Sequence, residues 1–218
     1  MLRALKAHWI AAACVVFTLL NAALMAADFY WFSVLPAVLL VIWAMVATPQ
    51  RLLLFIAFAT PLSINLEELS LGGIGVALPT EPILVGLMFL FLLKISIQKG
   101  VIDHAILRHP ITTIILLQLG WMAVCIVPSS MPMVSFKYFT ARAWFVCVLY
   151  FMGTRFFAET PNMLRFVRAF LAGLVVAIGY TLIHHAQFGF AQDPAHWVMW
   201  PFFKDHTSYG AVIAFMVP

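Results

Sequence analysis

The chain has 218 residues, 65% of them hydrophobic and 9% charged, with a mean hydropathy of +1.05. A soluble domain carries about 25% charged residues, so this composition excludes one and points to a polytopic membrane protein. The pI near 9.2 does not indicate nucleic-acid binding, because the 12 Lys and Arg are dispersed and topology accounts for most of them.

The apolar runs predict an all-α fold, a polytopic transmembrane bundle of about seven complete spans plus the start of an eighth. It forms a single membrane domain over residues 1–218. The N-terminus, MLRALKAHW before an apolar run, resembles a signal peptide. The run continues to Ala27 with no small-residue cleavage site, so it reads as the first span, 9–27. Asp28 sits in a short turn before the second span, 30–47. Thr48-Pro49-Gln50-Arg51 is a turn with proline at a helix start. The third span, 52–65, is short and holds Pro61, which predicts a kink or a re-entrant piece.

The loop NLEELSLGGIGVALPTEP follows, opened by Glu67 and Glu68 and loosened by Gly72, Gly73 and Gly75. No GK[ST] comes after these glycines, so they form no phosphate loop. Thr80-Glu81-Pro82 reads as a helix start, with Thr80 as cap and Glu81 near the positive helix end. The fourth span is 83–97 and the fifth 110–127, with Lys99, Asp103, His104, Arg108 and His109 between them. The sixth, 136–157, is FKYFTARAWFVCVLYFMGTRFF, and the seventh is 164–183. Residues 184–206 form a long aromatic loop, and an eighth helix starts at Thr207. Its 12 residues to Pro218 reach about 18 Å against a hydrocarbon core of roughly 30 Å. The expectation is the N-terminal part of a longer protein. Cys14, Cys125 and Cys147 lie in apolar runs without a CxxC pair and read as packing residues.

Orientation follows from the cations. With the N-terminus in the cytoplasm, that side holds Arg3, Lys6, Arg51, Lys94, Lys99, Arg108, Arg155, Arg165 and Arg168, leaving Lys137, Arg142 and Lys204 outside. The acids Asp28, Glu67, Glu68, Glu81, Asp193 and Asp205 also fall outside, in a Gram-negative cell the periplasm.

The sixth span is the one around which the chain is organised. Arg142 lies within it, about 7–8 Å deeper than Lys137 at roughly 1.5 Å per residue. A charge at that depth normally faces a partner, a cavity or a ligand. The bland alternatives are that Lys137 snorkels to the interface and that Arg142 pairs with a buried carbonyl or acid. A second group is Lys204-Asp205-His206, where Asp205 reads as an N-cap and the new helix start is a natural anion site. His184 and His185 are adjacent, about 100° apart on a helix, which is wrong for joint metal ligation, so no metal is expected. Trp197, Trp200, Phe202 and Phe203 read as an interfacial aromatic belt or a sugar-binding surface. Arg165 and Arg168 share a helix face and fix topology or touch lipid phosphates.

Two strings, Ser135-Phe-Lys137-Tyr-Phe-Thr-Ala-Arg142-Ala-Trp144-Phe and Phe202-Phe-Lys204-Asp205-His206-Thr-Ser-Tyr209-Gly-Ala, resemble the O-antigen ligase and O-antigen polymerase superfamily. The likeness is strongest to the branch common in Bacteroidetes, whose early periplasmic loop Leu78-Pro79-Thr80-Glu81-Pro82 also resembles. The ligase-like core would begin near 164–218. The resemblance implies an inner-membrane glycosyltransferase working at the periplasmic face without metal or other cofactor. Its donor would be a glycan on undecaprenyl pyrophosphate, and its acceptor lipid A-core or a growing glycan chain. Membrane lipids are partners, and nucleic acid is not. Arg142, Lys204 and Lys137 would then hold the pyrophosphate, whose developing charge cations stabilise. His206 and Glu81 are the candidates for the base that activates the acceptor hydroxyl. Two rival readings remain, a transporter with Arg142 at its substrate site and a non-catalytic membrane fragment.

Overall fold

The computed structural model describes residues 2–65 and 77–216. Glu67, Glu68, Gly72, Gly73 and Gly75 lie outside the described residues. The chain divides into two compact units, Met1–Ala44 and Met45–Pro218.

The first unit is a helical hairpin. Helix α1, Leu2–Ala26, carries the first apolar run. It turns at Asp28, whose φ of 58° is left-handed and whose carboxylate accepts a 3.0 Å hydrogen bond from the Tyr30 hydroxyl. A 3-10 turn, Tyr30–Val34, precedes α2, Leu35–Ala47. Pro36 explains the change of helix type, since proline has no N–H to donate and is tolerated in a first turn. The hairpin is closed by Ser33 donating to the Asn21 amide oxygen at 3.0 Å and by Phe17 stacked on Phe32 at 5.2 Å.

In the second unit, α3 (Pro49–Ala59) ends in a 3-10 turn, Thr60–Leu62. Pro61 terminates the α-helix as its missing donor requires. Two hydroxyls take up carbonyls at the break, with Thr60 Oγ1 donating to Ile56 O and Ser63 Oγ to Ala59 O. In a bilayer such side chains re-satisfy backbone groups that a proline frees. Strands β1 (Ile64–Asn65) and β2 (Ala77–Leu78) pair antiparallel, a two-stranded ribbon that the all-α reading omitted.

Helix α4, Thr80–Ile97, is central to this unit. It buries Ile83, Leu84, Leu87, Met88 and Phe91, a stripe at helical spacing. A four-residue helix α5, His104–Leu107, leads to α6, Pro110–Ile126. The expected sixth span is divided. Helix α7, Pro132–Phe145, passes into a π-helical stretch, Val146–Met152, and then α8, Gly153–Phe156. Trp144, Val148, Phe151 and Phe156 carry its buried face, and Phe151 stacks on Phe91 of α4 at 6.0 Å.

Helix α9, Thr160–Ala186, crosses α3 closely. Gly173, Ala177 and Thr181 recur every fourth residue, and all three are buried. A Cβ on Gly173 would strike the Phe58 carbonyl and the Pro61 ring. Small residues at such spacing let helix backbones approach where lipid offers no hydrophobic drive to association. Residues 187–205 form the aromatic loop, and α10 is His206–Met216.

Among the described residues three segments are long and apolar enough to cross a membrane, Tyr30–Ala47, Thr80–Ile97 and Thr160–Ala186, while Cys14–Ala26, Pro49–Leu62 and Pro110–Ile126 are shorter. Two further readings are corrected. Thr80 does not cap α4; it is buried, with its hydroxyl 2.9 Å from that of Ser63. Cys14 and Cys125 are exposed rather than packed.

Candidate functional site

Arg142 and Lys137 sit on α7, and both are exposed. Arg142 lines a cavity of about 320 Å³ between α6 and the α7–π segment, together with Ile115, Leu119, Met122, Phe145 and Leu149. Its polar neighbours there are Gln118 and Tyr150. Tyr150 is committed elsewhere, its hydroxyl 2.6 Å from that of Thr112. Among the described residues no carboxylate forms an ion pair with Arg142. The guanidinium therefore faces a largely apolar groove at mid-helix, beside the start of the π-helical stretch. Such stretches often accompany functional sites.

Lys204 and His206 lie at the start of α10, and both are exposed. Asp205 caps that helix: the Ser208 amide donates to Oδ1 at 2.7 Å and the Ser208 hydroxyl to Oδ2 at 3.1 Å. The Ser208 amide, foremost among the causes, holds the Asp205 carboxyl below the usual aspartate range. The helix start is thus already occupied by an anion, that of its own cap. His206 pairs with His196 of the loop, Nδ1 to Nδ1 at 3.4 Å. This contact joins positions ten residues apart in an irregular loop, where no periodicity announces it.

The aromatic loop is held onto α9 by the two histidines at the helix end. His184 Nδ1 donates to Val198 O and His185 Nε2 to Ala191 O, each at 2.9 Å. Trp197 meets His184 and Phe188 edge-on, at 5.7 and 5.0 Å, and Val198 and Met199 are buried beneath. His184 and His185 are therefore structural here. Among the described residues no group of three His, Cys, Asp or Glu side chains is placed to hold a metal ion.

Glu81 stands in the first turn of α4, half-buried. No hydrogen bond among the described residues joins Arg142, Lys204 and Glu81, and the cavity that Arg142 lines includes neither of the others.

A larger cavity, of about 670 Å³, lies at the opposite ends of the helices. Arg51 from α3, Lys94 from α4, Arg155 from α8 and Arg165 from α9 all line it. In sequence these cations lie on separate elements and satisfy the positive-inside rule one by one, so only the fold brings them together. No protein-family model matches the chain, and no curated protein or solved structure matches it.

Proposed function

We propose that the chain is a multi-pass protein of the bacterial inner membrane that transfers a glycan from undecaprenyl pyrophosphate to lipid A-core or to a growing polysaccharide. In this reading seven spans and the start of an eighth cross the bilayer, with the N-terminus cytoplasmic and the working face periplasmic. The observation that carries the reading is Arg142, a guanidinium on α7 without a carboxylate partner among the described residues, opening on an apolar groove. The acceptor hydroxyl attacks the anomeric carbon, the bond from that carbon to the phosphate oxygen breaks, and the pyrophosphate leaves with the electron pair. Arg142, Lys204 and Lys137 would stabilise that departing charge. His206, oriented by His196, or Glu81 would take the hydroxyl proton.

A second reading is favoured by one observation. The π-helical stretch Val146–Met152 begins one turn after Arg142, a local departure from α geometry of the kind that often accompanies functional sites, and it would suit a transporter's substrate site.

One experiment separates the two. The gene is deleted in its own host and restored as wild type, Arg142→Ala or Lys204→Ala, with membrane abundance checked by blot. Glycan transfer predicts that the variants insert normally but leave glycan on the lipid carrier, visible on a glycolipid gel. Unchanged glycolipids at normal abundance in both variants would overturn the enzymatic reading.

A further inference from the structure

The geometry points to a binding site for a phosphate-bearing anion in the cavity of about 670 Å³ where the ends of α3, α4, α8 and α9 meet. This goes beyond the glycan-transfer reading and does not rest on it, since it concerns the opposite helix ends.

Four cations line this one concavity, Arg51, Lys94, Arg155 and Arg165, against a single lining carboxylate, Glu159. That carboxylate is engaged by Asn162, whose amide donates to it at 3.1 Å. No ion pair neutralises any of the four among the described residues. Arg155 and Arg165 are positioned by hydrogen bonds, to Val101 O at 3.4 Å and to Asn162 Oδ1 at 3.2 Å. Arg51 and Lys94 carry no side-chain hydrogen bond among the described residues, which leaves their donors for a ligand. Pro49 and Gln50, the first residues of α3, also line the cavity, so that helix directs its positive end there.

Topology alone does not produce this. The positive-inside rule asks for cations near one membrane face, at any point around the bundle. Lys99, Arg108 and Arg168 satisfy it without lining the cavity. Four cations on four elements pointing into one hollow repel each other unless an anion sits among them. Guanidinium groups suit a phosphate because their planar donors meet its oxygens two at a time. The floor is apolar: Phe91, Phe151 and Phe156 line it and are buried. A cationic rim over an aromatic floor fits a phosphate with an apolar body attached, the chemistry of a phospholipid head and its first acyl carbons. A soluble diphosphate would use the rim alone. The volume falls within the roughly 300–1,000 Å³ of small-ligand clefts.

The purified chain in maltoside micelles is melted with three additions: phosphatidylglycerol, phosphate-free diacylglycerol, and inorganic diphosphate. The expected result is a rise in melting temperature with phosphatidylglycerol and none with diacylglycerol, lost in Arg51→Gln/Lys94→Gln and reduced in Arg165→Gln. Lys99→Gln/Arg108→Gln retains the full rise. If inorganic diphosphate gives the same variant-sensitive rise, the site stands and its ligand is a soluble phosphate. If diphosphate does nothing, the ligand is a lipid headgroup. The proposal is overturned if neither phosphate probe shifts the wild type. It is equally overturned if the shift survives in both cavity variants, or vanishes to the same extent in Lys99→Gln/Arg108→Gln. Arg165→Gln removes one charge only and keeps the test readable if the double variant fails to fold.

Discussion

The hydroxyls of Tyr150 and Thr112 stand 2.6 Å apart, tying the π-helical stretch to the foot of α6. Thr112 is fully buried and donates its one proton to Ile106 O, also at 2.6 Å, so Tyr150 must be the donor in the pair. The order of the chain is Tyr150 to Thr112 to the Ile106 carbonyl. Tyr150→Phe removes one hydrogen bond and should cost about 0.5–1.5 kcal/mol. Thr112→Val keeps the shape but strands a hydroxyl and a carbonyl, and should cost more, about 1–3 kcal/mol. Thermal unfolding of the purified variants in micelles checks the order. Equal losses would mean that the bond from Thr112 to the Ile106 carbonyl contributes nothing beyond the pair with Tyr150.

The close crossing of α9 on α3 makes a paired prediction. Gly173→Ala puts a methyl group against the Phe58 carbonyl and the Pro61 ring, and overpacking of this kind costs about 1–3 kcal/mol. Gly179, on the same helix, has open space at its Cβ position. Gly179→Ala should therefore stabilise the helix by about 0.5–1 kcal/mol. Opposite shifts in melting temperature are expected, and shifts of one sign would refute the crossing.

These elements differ in how visible they are in the amino-acid sequence. The apolar runs announce most helices, because a bilayer demands length and low charge before anything else. Pro61 announces the end of α3 because the missing N–H is local. The π-helical stretch is not legible, since VCVLYFM reads alike in α or π form and its contact to Thr112 spans 38 residues of sequence. Gly173 looks like any membrane-helix glycine until α3 lies against it. At the candidate sites, Arg142 stands out because one charge in an apolar run is rare. The His196–His206 pair and the basic cavity do not stand out. Both depend on residues distant in sequence meeting in space, and the cavity's cations had a sufficient local explanation in topology.

Trp144 is buried on α7, and its indole N–H has no hydrogen-bond partner among the described residues. An orphaned buried donor carries a desolvation penalty that phenylalanine does not. Trp144→Phe should accordingly cost less than about 1 kcal/mol, because the smaller ring is offset by removal of the N–H. Trp144→Ala empties the site and should cost about 3–5 kcal/mol. If the two variants melt together, the indole N–H has a partner from the surroundings, such as water or a lipid head.

The Asp205 cap sets a pH dependence at the start of α10. Its carboxyl titrates below the ordinary value of 3.8, chiefly because the Ser208 amide favours the charged form. A depressed folded-state value means that the cap's contribution is fully present above the unfolded value. It fades as pH falls past that value and is lost as pH drops through the folded one. Asparagine at this position still offers an oxygen to the Ser208 amide but has no proton to gain. Wild type should therefore lose melting temperature relative to Asp205→Asn as pH is lowered through and below 3.8. The difference between the two should be constant at neutral pH. A difference that stays constant down to the acid end would show that the carboxylate does not cap α10, and would leave the helix start open to an external anion beside Lys204 and His206.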